Sequence, residues 1–375
     1  MNKKIPFYKP SVDNKELEQI NQVLQNKSNK VEELENELAE YIGVPYAIAT
    51  CNETVALHLA LSAMELKRAD KILMSVNTSP SLPEVVRHFD AEPIFIDIQN
   101  DGFNIDLNKL EEYLKQNDSK KLKGAIISFV AGVIPNLDKL YEIKNKYNIM
   151  LIEDATLALG SMYKNKLIGS LEADMTIFST NHEKGKSPLN NNGFILTSNE
   201  TLFTKGKLLR THALTKSYDD KVGYMYDVVD IGYKYDITNL EAAFALAQFY
   251  KTTDFCDRRL EIATIYNKKL SDLKHIILPK FDEDQIFSQY IIKISKNRDG
   301  FARALKDKGV STEVDYVPLH LLSYYKQKYK LKITKYPNAL NTYGQILSLP
   351  IYPSLQDSEI EYICKSIIEI ANDWI

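Results

Sequence analysis

Two apolar runs give the most direct view of the fold. One is Ile149-Met150-Leu151-Ile152, which leads into Glu153-Asp154; the other is Met175-Thr176-Ile177-Phe178, which leads into Ser179-Thr180-Asn181-His182-Glu183-Lys184. Both are short, aliphatic and closed by polar residues, as buried strands are. Runs of the same character occur upstream at 71–76, 93–98 and 124–129, and downstream at 193–197. Helical spacing fills the gaps, notably over 106–116 and 138–147. Strands that alternate with helices in this way predict a mainly parallel sheet with helices on both faces.

In open α/β sheets the ligand site lies beyond the carboxyl ends of the strands. Asp154 ends one such strand, and Lys184 follows another by a short loop. A lysine amine attacks aldehydes only when neutral, and burial or a nearby cation makes it so. A carboxylate can pair with a protonated pyridine nitrogen and keep that ring electron-withdrawing. The pair therefore suits pyridoxal 5'-phosphate (PLP) chemistry. It is also a common pair, since most strand-end aspartates cap helices and most lysines are solvated. Lys186 is a second candidate nucleophile, although the spacing from Phe178-Ser179 favours Lys184.

Outside this region, residues 14–41 read as largely helical and 54–64 as a helix apolar on most sides. The pattern changes after about residue 250. A long helix over 239–270 leads into strands near 290–294 and 310–314 and a last helix over 358–372. These features divide the chain into a large α/β domain, 1–245, and a smaller α+β domain, 246–375. With 44% hydrophobic residues and a net charge of −3, nothing argues for nucleic acid or an anionic membrane. The tyrosine-rich stretch Tyr324-Tyr325-Lys326-Gln327-Lys328-Tyr329-Lys330 reads as a solvated surface helix. Cys51, Cys256 and Cys364 are odd in number and far apart, so neither a disulfide framework nor a cysteine metal site is expected. No signal peptide and no run of about 18 apolar residues is seen, and a cytoplasmic location is expected.

Several segments, in order, resemble the DegT/DnrJ/EryC1/StrS family of sugar aminotransferases. They are Asn52-Glu53-Thr54-Val55-Ala56-Leu57, Pro93-Ile94-Phe95-Ile96-Asp97, Ile152-Glu153-Asp154-Ala155-Thr156-Leu157, Phe178-Ser179 with Lys184, Gly232-Tyr233-Lys234-Tyr235, and Tyr316-Val317-Pro318-Leu319-His320. The resemblance implies the fold type I architecture of PLP-dependent transferases and a homodimer with shared active sites. It makes Lys184 the Schiff-base lysine and acid/base, and Asp154 the partner of the pyridine nitrogen. Thr54, the backbone at Glu53, and Ser179 would hold the phosphate; Leu157 would touch the cofactor, and Lys234 would come from the second subunit. Arg210 and His212 would meet substrate, and His320 would bind sugar or phosphate or be a packed turn residue after Pro318-Leu319. His182 would be a substrate contact or simply a loop residue.

The family usually has Gly at the position of Glu53, Gln or His at Leu157, an aromatic near Ser79, Asn at Lys234 and Arg at Asp236. The implied reaction moves an amino group from glutamate, or a similar donor, to a keto group of a nucleotide-linked deoxysugar, for surface polysaccharide or glycan synthesis. The alternative is an altered paralogue that keeps fold and dimer as a binding or regulatory protein.

Overall fold

The computed structural model describes residues 4–25, 29–117, 119–180, 192–216, 225–282 and 284–374. Its strands are β1 (Tyr46–Thr50), β2 (Lys71–Ser75), β3 (Glu92–Ile96), β4 (Leu122–Ser128), β5 (Met150–Asp154), β6 (Met162–Tyr163), β7 (Lys166–Leu167), β8 (Met175–Ser179) and β9 (Gly193–Thr197). They continue with β10 (Leu214–Lys216), β11 (Tyr226–Val228), β12 (Ile276–Ile277), β13 (Tyr290–Ile294) and β14 (Ile346–Leu349). The helices are α1 (Asn14–Leu24), α2 (Lys30–Ile42), α3 (Glu53–Ala63), α4 (Ser81–His88), α5 (Leu107–Gln116), α6 (Leu137–Tyr147) and α7 (Glu200–Arg210). After them come α8 (Asn239–Phe249), α9 (Thr252–Leu270), α10 (Arg298–Asp307), α11 (Ser323–Lys328), α12 (Pro337–Gln345) and α13 (Asp357–Asn372).

Seven strands form one sheet in the order β1-β9-β8-β5-β4-β2-β3. From β8 to β3 the strands are parallel, as expected, while β9 runs antiparallel to both β8 and β1. Alternate side chains go to opposite faces. Ile126, Ile152, Ile177 and Ile195 pack with Ala56, Leu59 and Ala60 of α3 on one face. Ala125, Ile127, Leu151, Phe178 and Leu196 pack with residues of α2, α6 and α8 on the other. Burial of both faces is why these strands read as continuous apolar runs. Helices α3, α5, α6 and α7 each start at an Asn or Asp whose side chain accepts a first-turn backbone N–H.

The C-terminal part has its own antiparallel sheet, β12-β13-β14, against α9, α10 and α13. Ile5 joins that core, and its amide donates to Gly309 O at 2.8 Å.

Three expectations are corrected here. The helix over 239–270 breaks at Tyr250 and Lys251 into α8 and α9, where the buried Lys251 ammonium turns to Asp13 and Glu16 at the start of α1. Residues 310–314 make no strand, because Val310 bridges to Ile5 and Glu313 to Ser348, two different partners; β14 supplies the third strand instead. The tyrosine-rich segment is only partly solvated: Tyr325 is buried, and its hydroxyl donates to Pro80 O and Glu84 Oε1 at 3.2 and 3.1 Å.

The alternation along β5 sends Glu153 and Asp154 to opposite faces. Glu153 is fully buried on the α6 face, accepting from Tyr141 Oη at 2.6 Å and Thr176 Oγ1 at 3.1 Å. Burial pushes its carboxyl up to about 7, against the lowering effect of those two hydrogen bonds. The folded protein thus keeps a proton that the unfolded chain releases between the usual carboxylate range and about pH 7, so this residue's contribution to stability falls as pH rises through that window. Glu153→Gln should raise the unfolding midpoint at about pH 8 and change it little at about pH 5. Equal shifts at both would refute the assignment.

Gly193 opens β9 where the chain crosses the start of α3. A Cβ there would stand 2.4 Å from Asn52 O. Gly193→Ala should cost about 1–3 kcal/mol of overpacking in denaturant unfolding; an unchanged midpoint would refute this.

Candidate active site

The carboxyl ends of β4, β5 and β8 lie side by side because the strands are parallel and in register: Ser128 stands opposite Asp154, and Asp154 opposite Ile177. Asp154 is only 4% exposed. Ser128 Oγ donates to its Oδ2 at 2.8 Å, and Thr156 Oγ1 to its Oδ1 at 2.7 Å. Behind Ser128, the Thr78 hydroxyl shares a 2.9 Å hydrogen bond with it. A buried carboxylate requires such donors, and here they fix its orientation.

The first turn of α3 faces the same space. Its N-cap, Asn52, accepts from Val55 N at 2.9 Å, and Thr50 Oγ1 donates to Asn52 O and Gly193 O, both at 3.0 Å. The close approach of Gly193 locks this turn against β9. Glu53, Thr54, Leu57, Ser81, Leu82, Asp154, Thr156 and Ile177 line one cleft. It offers a fixed carboxylate at the strand ends and the positive end of a helix dipole at its wall. The fixed carboxylate suits a cationic N–H and the helix start suits an anion, as PLP presents, with the Glu53 side chain at that wall turned from the anion when PLP is bound.

Of the residues singled out in the sequence, Asp154, Thr54 and Glu53 come together in this cleft. Ser179 ends β8 and is buried, opposite Gly193 in the β8–β9 register. Leu157 is buried but is not among the lining residues; its carbonyl accepts from Ser288 Oγ. Ser79, near the position of the usual aromatic, accepts from Ser81 Oγ at 2.9 Å, beside the start of α4. Lys184, Lys186 and His182 lie outside the described residues.

The remaining residues lie elsewhere. Arg210 is expected at substrate phosphate, but its guanidinium is directed into the protein, to Glu35 Oε1 at 2.6 Å and Ala49 O at 2.9 Å. Lys207 shares Glu35 at 2.7 Å. The exposed His212 donates its backbone N–H to Tyr233 O at 2.7 Å. Lys234 projects outward and pairs with Asp236 at 2.7 Å. His320 is wholly buried and stacked on Tyr336 at 5.2 Å, and its two ring nitrogens have no hydrogen-bond partner among the described residues. Burial lowers its pKa, against a raising effect from Asp97. Its neighbour Leu319 donates to Val76 O at 2.9 Å, which places this segment just past the end of β2.

Sequence reasoning missed Ser128, Thr78 and Thr156. Thr156 lies two residues past Asp154, and Ser128 ends the adjacent run, so a search for hydroxyls at neighbouring strand ends would have found both. Among the described residues, no cluster of His, Cys, Asp and Glu could hold a metal, and no helix is long and apolar enough to cross a membrane.

Comparison with known proteins points the same way. GDP-perosamine synthase of Escherichia coli O157:H7 is 31% identical over 385 residues, covering 99% of this chain and all of that protein. The spore coat polysaccharide biosynthesis protein SpsC of Bacillus subtilis is 29% identical over 98% of this chain and 97% of its own length. Spr1654 of Streptococcus pneumoniae, assigned as a sugar aminotransferase and solved in a PLP form, superposes with a TM-score of 0.89 at 25% identity, over the whole of both chains. The profile of the DegT/DnrJ/EryC1/StrS aminotransferase family matches residues 10–368. The chain therefore belongs to the DegT/DnrJ/EryC1/StrS aminotransferase family.

Proposed function

We propose that this protein is a PLP-dependent transaminase that moves an amino group from glutamate, or a similar donor, to a keto group of a nucleotide-linked deoxysugar, as a step in surface polysaccharide or glycan synthesis. The observation that carries this reading is Asp154, a buried carboxylate held by Ser128 and Thr156 in the cleft that α3 also lines. The names of two relatives support the substrate class: one makes GDP-perosamine, the other acts in spore coat polysaccharide biosynthesis. That Asp154 keeps a full hydroxyl shell favours the enzyme over an inactive paralogue.

When bound, PLP supplies an electron sink that lets an amino group leave one carbon and join another. The protein does the rest. Asp154 holds the pyridine N–H and keeps it protonated. The α3 first turn, Thr54 and Ser179 hold the phosphate. Lys184 would hold the cofactor's aldehyde carbon between turnovers and, once freed by the incoming amine, would move the proton between the substrate carbon and the cofactor methylene carbon. Leu157, buried three residues past Asp154, would support the cofactor side from behind the lining residues. His320, His182 and His212 belong to the substrate side, while Arg210, whose guanidinium is taken by Glu35 and Ala49 O, braces the scaffold instead. We assign the cofactor-binding domain to 1–245 and the smaller domain to 246–375.

The site is completed by a second copy of the chain, whose Lys234 serves the phosphate as a point charge. Exposed Tyr226, Val228, Val229 and Ile231, immediately before that segment, support burial of this edge in a homodimer.

Added PLP should give the protein a visible absorption band that is lost in Lys184→Ala, and the loaded protein with glutamate should aminate a nucleotide-linked keto-deoxysugar. Native protein that gains no band refutes the reading. Asp154→Asn should lower kcat on the order of 10²–10³-fold, while Glu153→Gln, on the opposite face, leaves it unchanged; equal effects would refute the assignment of Asp154.

A further inference from the structure

Residues 233–236 form a strap held between two parts of the chain's own scaffold. On one side the end of α7 and the turn after it grip its backbone: Tyr233 N donates to Leu209 O at 2.7 Å, Tyr235 N to Arg210 O at 3.0 Å, and His212 N to Tyr233 O at 2.7 Å. Gly232 lets the strap approach this turn, because a Cβ there would stand 2.3 Å from Ala213 N. On the other side, Cys51 N, between β1 and α3, donates to Tyr235 O at 3.1 Å.

Extended backbone sends alternate side chains to opposite sides. Tyr233 and Tyr235 share the inner side, with rings stacked at 4.6 Å and 4°. Both meet His58 of α3 edge-on, at 5.1 and 5.7 Å between ring centres. The Tyr235 hydroxyl lies 3.4 Å from His58 Nδ1, and Ser62 Oγ donates to Tyr233 Oη at 3.0 Å. Phe89 backs His58 at 4.5 Å and 26°. Lys234 and Asp236 take the outer side as an ion pair, with the Lys234 side chain 68% exposed.

We infer that His58 and Ser62, acting through Tyr233 and Tyr235, are positioning residues that fix the direction in which Lys234 presents its ammonium to a cofactor phosphate. The inference rests on the reading that Lys234 serves that phosphate. The stacked pair holds the strap's backbone, so Lys234 and Asp236 both leave it on the outer side, where they pair at 2.7 Å. Burial, with a smaller effect from His88, holds His58 down to about 4, so the ring is neutral at ordinary pH and the box carries no charge to compete with Lys234. One helix then serves two sites. The first turn of α3 lines its own cleft, and its flank aims a residue destined for the neighbouring subunit.

The test is titration of cofactor-free protein with PLP and with pyridoxal, which lacks the phosphate, followed by absorbance or fluorescence. Lys234→Ala and Tyr235→Ala should each weaken PLP binding about tenfold and leave pyridoxal binding unchanged. The double variant should be no weaker than either alone, because both act through one ammonium. His58→Ala, which keeps every backbone bond of the strap, gives a second reading should Tyr235→Ala not fold, and is expected to weaken PLP alone. If the clamp variants leave PLP binding intact while Lys234→Ala weakens it, the inference is overturned and the reading of Lys234 survives. Equal losses for PLP and pyridoxal also overturn it, since the clamp would then be only structural. If Lys234→Ala itself leaves PLP binding unchanged, the reading of Lys234 fails and the clamp has nothing to aim.

Discussion

A buried carboxylate is tolerated only where donors meet both of its oxygens, and at Asp154 those donors come from two places that only this sheet brings together. Thr156 is local, two residues along the chain. Ser128 comes from the neighbouring strand, and reaches Asp154 because β4 and β5 are parallel and in register. A slip of one residue in β5 would exchange Asp154 with Glu153. The cleft would then receive the longer glutamate before a Ser128 placed for an aspartate, and the core the shorter aspartate before Tyr141 and Thr176. The two adjacent acids thus fix the register of β5 from both faces, and the position of the cleft follows from that register.

Much of this architecture is legible in the sequence for a simple reason. Strands buried on both faces are continuous apolar runs, and the runs ending at Asp154 and Ser179 were placed to within a residue or two. What escaped depends on partners distant in sequence. Nothing in Gly193-Phe194-Ile195-Leu196-Thr197 says that it runs antiparallel to both neighbours. The break between α8 and α9 depends on a buried lysine reaching α1 from more than 230 residues away. Tyr325 looked solvated among lysines because the glutamate that receives its hydroxyl lies in α4.

The site was legible to a similar degree. Asp154, Thr54 and Glu53 meet in one cleft because each marks the end or start of an element at one edge of the sheet. Arg210 shows where residue type misleads. An arginine near a phosphate-binding fold suggests an anion, but here Glu35 and a backbone carbonyl take its guanidinium. No local signal separates these cases, since Glu35 is 175 residues away in the chain. The strap beyond Arg210 has the converse logic: alternation alone puts two tyrosines on one side and two charges on the other, and only the fold shows which side meets α3.

The order of strands also constrains the order of events during synthesis. In the sheet β1 pairs only with β9, so Tyr46–Thr50 has no neighbour until Gly193–Thr197 has left the ribosome. The parallel strands β2 to β5 can assemble before that, each beside a strand already made, apart from the place β8 later fills. The first part of the chain to be made is therefore among the last to be incorporated, and Ala47, Ile48 and Ala49 wait as unpaired apolar backbone. Such a segment is where nascent chains associate wrongly, so conditions that slow translation between residues 50 and 193 bear directly on the yield of correctly folded protein.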